Sequence, residues 1–375
     1  MLLDFRAALL DERIGGVEGI NRLSNAARTP ANYYLTAILP ERDVNSYVAR
    51  GGSMRVRSTM AGVVGLDSKD PEGGAMDVSR FMENIAKIAI SSRLQEQTII
   101  EIQQLAAAAV IAGGNTRDIA VNAVLNFVAK MLLQPHYDRR EWMRAQVLFL
   151  TSINWQFIGV DLQVDYGVPS ANILPTRTGA AAYDGSASVF WDDWKAARRK
   201  HGAAFRGAIA TRETVDAIIY NPVNKVTVLA DEDNMVSIVR YVGADDGLRP
   251  PSNDARERAQ FVVYDKEGEI WDLDAPGTTK KVKMVPDGVL GFFASNDRSG
   301  EFIVGEGATE DPENDRAIGY SHIGPTVENN GRTGIWTDVR VPDDMPQHLE
   351  GRARGRFLPV IENPDKVFLT STTIG

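Results

Sequence analysis

The chain has 375 residues, 43% of them hydrophobic and 24% charged, which supports a large core and leaves room for roughly two or three domains. It contains no cysteine, which excludes disulfides, thiolate nucleophiles and thiolate metal sites and suits a reducing compartment. The formal net charge of −9 argues against adhesion of the whole molecule to nucleic acid by counterion release.

Taken in order, Phe5–Leu10 reads as a short helix. Gly15-Gly16 follows, and then an extended run through Tyr33-Tyr34-Leu35-Thr36-Ala37-Ile38-Leu39-Pro40. Isolated apolar clusters of this kind cannot bury themselves locally, so residues 1–50 are expected to form an arm that docks elsewhere. Residues 51–81 read as a long hairpin: Met54-Arg55-Val56-Arg57 alternates with period two, Asp67–Gly74 supplies a charged turn, and Ala75–Phe81 returns. Met82–Ala112 is predicted helical and ended by Gly113-Gly114. Asn115 caps a second helix, whose stripe is Ile119, Ala120, Ala123, Val124, Phe127, Val128 and Met131. Pro135 is expected to stop that helix. The capping-box spacing of Asp138 and Glu141 then opens a third, running to about Leu150. Ser188 or Asp184 begins an amphipathic helix through Trp191, Trp194 and Arg198, and Thr211–Ile219 reads as another short one. From Lys225 onward period-two runs dominate, with Asp265-Lys266-Glu267-Gly268 as a hairpin turn between two of them. Helices first and antiparallel strands later predict an α+β fold rather than a doubly wound sheet.

Chemistry-bearing constellations are weak. His136, His201, His322 and His348 are scattered without ligand spacing. Asp231–Asn234 and Asp311–Asp315 lack the glycine and closing glutamate of a calcium loop, and read as solvated acidic turns. Glu269, Asp272 and Asp274 around Trp271 suggest at most a carbohydrate-active site. The indoles of Trp191 and Trp194 share a helical face and are expected in a core. No phosphate-loop, dinucleotide or nucleophile-elbow motif is present, so no cofactor, metal or catalytic residue is expected. No apolar stretch is long enough to span a bilayer, and Met1–Arg6 lacks the order of a signal peptide; the expectation is an intracellular chain. Arg352, Arg354 and Arg356 alternate, so a strand places all three guanidiniums on one face. The plain reading is a solvated face. The sharper one is pairing with Asp67, Asp70 and Glu72 in the hairpin tip of a neighbouring subunit.

Four segments carry a family resemblance: Arg140–Gln146 with Leu148, Val160–Gly167, the step from Gly185 to Trp191 into Asp192-Asp193-Trp194, and the ending Leu358–Val367. Together and in this order they resemble the major capsid protein of lambda-like tailed bacteriophages, the head protein E family. The resemblance implies the tailed-phage major capsid (Hong Kong 97-like) fold, with an N-terminal arm, an extended E-loop hairpin, a long spine helix, and peripheral and axial domains. On this chain it assigns 1–50 to the arm, 51–81 to the E-loop, 82–165 to a peripheral domain with the spine helix, 166–334 to an axial domain, and 335–375 to a return into the peripheral domain. It implies self-assembly into hexamers, pentamers and a closed icosahedral shell in the host cytoplasm. Portal, scaffolding and decoration proteins are the implied partners, and double-stranded DNA is loosely enclosed by an acidic wall. Candidate inter-subunit residues are Arg55, Arg57, Asp67, Lys69, Asp70, Glu72, Arg352, Arg354 and Arg356. Cross-linking of Lys69 to Asn363 or Asn329 is not expected, because the lambda-like group relies on separate decoration proteins. The alternatives are an encapsulin-type compartment shell, a tail or head-completion ring protein, and a carbohydrate-active enzyme acting near Trp271.

Overall fold

The structure is a computed structural model and describes residues 4–30, 32–57, 75–111, 115–157, 160–201, 205–232, 234–241, 256–271, 278–294, 318–342 and 348–374. The eight α-helices of the described residues are α1 (Phe5–Leu9), α2 (Gly16–Ala26), α3 (Leu35–Ile38), α4 (Glu96–Ile111), α5 (Thr116–Asn126), α6 (Gln134–Leu150), α7 (Phe190–His201) and α8 (Arg212–Ile219). The strands of the first half are β1 (Glu41–Asp43), β2 (Val48–Arg57), β3 (Ala75–Asn84), β4 (Ala86–Leu94), β5 (Ser152–Phe157) and β6 (Val160–Asp165). Those of the second half are β7 (Phe205–Ala210), β8 (Thr227–Glu232), β9 (Met235–Tyr241), β10 (Arg256–Val263), β11 (Glu267–Trp271), β12 (Thr279–Lys283), β13 (Val289–Ala294), β14 (Gly319–Gly324), β15 (Trp336–Arg340), β16 (Leu349–Ile361) and β17 (Val367–Ser371).

Two sheets organise the chain. The five-stranded sheet is centred on β16, which pairs with β4 along one edge and with β15 and then β14 along the other; β1 adds to β14 in parallel. The six-stranded sheet has the order β17-β13-β7-β10-β9-β8. It buries Trp191 and Trp194 of α7 against Phe261 and Phe292, so the paired indoles are core residues as expected. Among the described residues, no helix is long and apolar enough to cross a membrane.

The long helix runs from Thr116 through α5, a π-helical segment Phe127–Leu133, and α6 to Leu150 without leaving helical backbone. Asn115 caps its start, its side chain accepting the Arg117 N–H at 3.0 Å, and the end at Leu150 falls where the sequence places it. Pro135 does not stop it. The Gln134 N–H bonds to the Ala129 carbonyl five residues back, so the helix has already widened where proline enters. Pro135 then sits in the first turn of α6, where its missing N–H leaves no gap. Asp138 lies inside the helix and accepts from the Tyr33 hydroxyl at 2.7 Å rather than capping anything.

Three further expectations are corrected. The predicted helix from Met82 begins only at Glu96, because Ala86–Leu94 is a strand of the five-stranded sheet; Ile88, Ile90 and Leu94 turn toward the helix side. Beta-branched residues alternating with Lys87, Ala89, Ser91 and Arg93 mark a half-buried strand. Residues 4–43 do not stand off as an arm. Phe5, Ala8, Leu9, Ile14, Ile20 and Tyr33 share a core with α5 and β15, α2 lies on β15, and Leu35–Ile38 is helical rather than extended. The turn Asp265–Gly268 does not close a hairpin either. Strand β10 lies between β7 and β9, and β11 pairs with β12. The hairpin of β2 and β3 forms as read, in continuous register from Val48↔Asn84 to Arg57↔Ala75.

Helix and sheet meet closely because the helix-facing side of β16 is small. Its order is Gly351, Ala353, Gly355, Phe357, and a Cβ at Gly351 would lie 2.6 Å from Phe127 Cε1 and 2.7 Å from Leu132 Cδ1.

Candidate functional site

Four charges are buried where α3, β1, α6 and β14 converge. Arg140, Glu141 and Arg144 come from three positions of one helical stretch, and Glu41 from β1. Glu41 Oε1 accepts from Arg140 Nη1 at 3.2 Å, Arg144 Nη2 at 2.8 Å and Thr29 Oγ1 at 2.5 Å. Glu141 Oε2 accepts from Arg144 Nη1 at 3.1 Å. Its Oε1 takes the Leu35 N–H at 3.0 Å and the Tyr264 hydroxyl at 2.7 Å. Arg144 Nε donates to Ser321 Oγ at 3.0 Å, whose hydroxyl passes on to the Leu39 carbonyl at 2.8 Å. Both guanidiniums lie over the Phe357 ring, at 5.3 and 5.0 Å.

Two cations and two anions make the cluster neutral, which is what permits its burial. Burial alone pushes Glu41 up, but Arg144 and Arg140 outweigh it and hold the carboxyl at about 2. Burial raises Tyr264 well above the ordinary phenol range, with Glu141 adding to it, so the hydroxyl stays a donor. The arrangement has no open face for a substrate. It is a clamp, tying residues 29–41 to the long helix, the five-stranded sheet and the strand preceding Tyr264.

Two buried histidines flank this region. Burial, then Arg140, brings His136 down to about 3; burial, then Arg42, brings His322 to about 4. Unfolded, both titrate near 6.5. Below pH 6.5 the unfolded chain therefore takes up protons that the folded chain refuses, and stability falls as pH falls, down to the folded pKa. Glu41 adds to the loss lower down, between its ordinary value near 4.5 and about 2. Unfolding free energy is expected to fall between pH 6.5 and pH 4 by up to about 1.4 kcal/mol per pH unit per ring, read as a steadily lower melting temperature. His136→Leu combined with His322→Leu should flatten that slope; a slope unchanged by the pair would refute the assignment.

The outer face of β16 is a second feature. Arg352, Arg354 and Arg356 do share this face, beside Arg93, Ser91, Ala89 and Lys87 of β4 and Arg340, Asp338 and Trp336 of β15. The three arginines are not equivalent. Arg354 Nη1 pairs with Glu328 at 2.8 Å, a carboxylate also held by Lys87, and its guanidinium lies 5.9 Å from the Trp336 ring centroid. Arg356 donates to the Ile85 carbonyl at 3.2 Å and stacks on Tyr47 at 4.8 Å. Arg340 and His348 share Glu350, at 3.1 and 2.9 Å, and Arg93 reaches His348 Nδ1 at 3.0 Å. Lys87 first, then Glu328's own backbone N–H, with Arg354 adding to them, hold the Glu328 carboxyl at about 2. Arg352 is exposed and has no hydrogen-bond or ion-pair partner among the described residues.

Of the other predicted site residues, Arg55 and Arg57 stand on β2 opposite Asp77 and Ala75. Asp67, Lys69, Asp70 and Glu72 lie outside the described residues, as do Asp272 and Asp274 beside Trp271. Glu269 stands opposite Lys281 on the β11–β12 ribbon. Sequence reasoning missed Glu41, Glu328 and Lys87. Glu328 belongs to a loop whose partners lie far along the chain, and no local pattern marks it. Glu41 follows Pro40 directly, and only the pair of buried arginines on α6 calls for it.

No family model matches the sequence, and no curated protein matches it. The fold is nevertheless shared with solved structures along nearly the whole chain. A protein assigned as the capsid protein of a prophage of E. coli CFT073 superposes with a TM-score of 0.52 at 11% identity, covering 94% of this chain and 96% of that one. A phage-related protein of Bordetella bronchiseptica RB50 has a TM-score of 0.48 at 10% identity, over 94% and 95% of the two chains. The encapsulin complex of Synechococcus elongatus PCC 7942 has a TM-score of 0.43 at 10% identity, over 94% and 93%. The α+β fold of this chain is thus the Hong Kong 97-like capsid fold that the sequence resemblance implies.

Proposed function

We propose that this chain is the major capsid protein of a tailed phage, a structural subunit that assembles into hexamers, pentamers and a closed icosahedral shell around double-stranded DNA. The observation that carries the reading is end-to-end agreement of fold with the E. coli CFT073 prophage protein, in an element order already legible in the sequence. The architecture suits the task. It has two large sheets, a long helix and a neutral buried clamp. In this reading 1–50 is the segment that corresponds to the arm, packed here on its own chain, with 51–81 the E-loop, 82–165 and 335–375 the peripheral domain and 166–334 the axial domain. Portal, scaffolding and decoration proteins complete the particle, which is built in the bacterial cytoplasm. The net charge of −9 keeps the wall from adhering to the DNA it encloses.

The test is expression of the chain, alone and with a scaffold, followed by negative-stain electron microscopy and light scattering. Closed shells, tubes or hexamer-sized rings are expected. A monodisperse monomer at high concentration with scaffold present would overturn the reading, and a fixed small ring would point to a head-completion protein.

Arg352 is the natural member of the basic stripe to meet a neighbour's Asp67, Asp70 or Glu72, since Arg354 and Arg356 already serve their own chain. Arg352→Glu is expected to raise the concentration needed for assembly by about fivefold or more at low salt, about 1 kcal/mol per contact, with an unchanged melting temperature. Assembly of the variant at the wild-type concentration would remove Arg352 from the interface.

A further inference from the structure

Helix α7 crosses the six-stranded sheet. Near its start Arg240 of β9 lies over the Trp191 ring at 4.7 Å, and at its end His201 meets Phe368 of β17 edge-on at 6.4 Å. The helix therefore ends at the β17 edge, on a run of three cations, Arg198-Arg199-Lys200. All three are exposed and none is in an ion pair among the described residues; Arg199 Nε donates to the Lys195 carbonyl at 3.3 Å. Lys366, from the turn Pro364–Lys366, converges on the same place. Burial, with Lys200 and Lys366 adding to it, brings His201 down to about 4, so the ring feels both ammoniums. The carboxylates of these two elements are Asp192 and Asp193 in the first turn of α7, the latter held by Arg177 at 2.5 Å, and Asp365 beside Lys366.

A helix C-terminus attracts cations, but its dipole amounts to about half a charge. Three cations exceed that, and they do so on a chain whose net charge is −9. At about 0.15 M salt the Debye length is about 8 Å, so carboxylates elsewhere on the surface do not cancel a charge at contact. Geometry also separates this turn from the stripe on β16. Alternate strand residues set their guanidiniums in one flat row. Consecutive helical residues stand about 100° apart, so Arg198, Arg199 and Lys200 fan around the helix end. A fan of this kind meets a polyanion whose charges continue past it on several sides. Duplex DNA, with one phosphate charge per about 1.7 Å of axis, has that form, and guanidiniums pair with phosphate bidentately.

We propose that the C-terminal turn of α7 is a contact site for the phosphate backbone of DNA and lies on the inner side of the shell. The duplex is the one enclosed in the shell-subunit reading, on which this choice of polyanion rests. Three charges per copy bind weakly. The contact thus arranges the outermost DNA without fixing it, and gains strength from many copies acting together.

The unassembled chain is titrated against a short fluorescein-labelled duplex and followed by anisotropy. Three phosphate contacts predict a slope of about −2.7 in log affinity against log salt, an about 40-fold loss between roughly 50 and 200 mM. Arg198→Ala, Arg199→Ala and Lys200→Ala made together are expected to lower affinity about tenfold or more at the lower salt and to flatten the slope. The melting temperature should not move. Arg198→Lys with Arg199→Lys should keep the slope, and Arg352→Glu should keep both slope and affinity. Equal binding by the wild type and the triple alanine variant, or no binding by either, would overturn the site. So would a triple variant that binds DNA normally but no longer assembles, which would assign the turn to a carboxylate surface of a neighbouring copy. Each of these results leaves the capsid reading standing. Failure of the wild-type chain to form shells would instead remove the enclosed duplex as the ligand, while the measured phosphate binding remained.

Discussion

Arg144→Ala is expected to cost the fold about 3–5 kcal/mol, the penalty for leaving buried carboxylates without their cation. Arg144 serves three acceptors through three nitrogens: Glu41, Glu141 and Ser321. Its loss strands Glu141 entirely among neutral donors and leaves Glu41 with Arg140 and Thr29. Arg144→Lys should recover little, because a single ammonium cannot span three directions that a planar fork reaches. Urea unfolding followed by tryptophan fluorescence reads the effect as a lower midpoint; where unfolding is irreversible, the melting temperature serves. A loss under about 1 kcal/mol would mean that the cluster is solvated, and the clamp would have to be abandoned.

The second large effect is expected at Gly351. The added methyl of Gly351→Ala meets the Phe127 ring at 2.6 Å and Leu132 at 2.7 Å, closer than carbon atoms sit without displacement. A cost of about 1–3 kcal/mol is expected, and Gly351→Val should prevent folding of the chain. The backbone at Gly351 is ordinary strand, so the penalty is steric and not conformational. This gives the claim a rescue test. Phe127→Leu removes the ring edge that the methyl strikes, and the double variant should be more stable than the sum of the two single losses allows. Strict additivity would show that the helix does not press on β16 at this point.

These two sites also mark how far the sequence could be read. Local patterns are visible: the Asn115 cap and the end of the long helix at Leu150 rest on neighbours within a few residues, and the β2–β3 hairpin and the buried face of Trp191 and Trp194 show in the period of their own segments. The alternation of Arg352, Arg354 and Arg356 predicted a shared face, and they share it. What failed depended on partners remote in sequence. Pro135 looked like a stop because the widened turn before it has no sequence signature that stands apart from ordinary helix. Ala86–Leu94 reads as helix in the sequence because Ile85 and Ile88 stand at a helical i, i+3 spacing, and the strand that orders it lies more than 250 residues onward. The fold-back of residues 4–43 was hidden for the same reason: α2 rests on β15, and β1 on β14. The five-residue stretch Arg140–Arg144 stands out through resemblance, but its meaning as three of the four charges of a neutral cluster requires Glu41.

The placement of β16 has a consequence for the order in which the chain becomes a protein. This strand, residues 349–361, is the axis of the five-stranded sheet, and β17, residues 367–371, forms an edge of the other. Both are made after the strands of residues 41–43 and 86–94, which have no template until then. Until then β4 has no neighbour in its sheet, and β1 can meet only β14, itself not yet paired with β16. The nascent chain is thereby kept from closing the five-stranded sheet before residues 349–361 emerge. A ribosome-stalled or prematurely ended product lacks the axis of the sheet on which the long helix rests. Synthesis through residue 371 is thus the point at which both sheets can close, and a local defect upstream is not locked in before it.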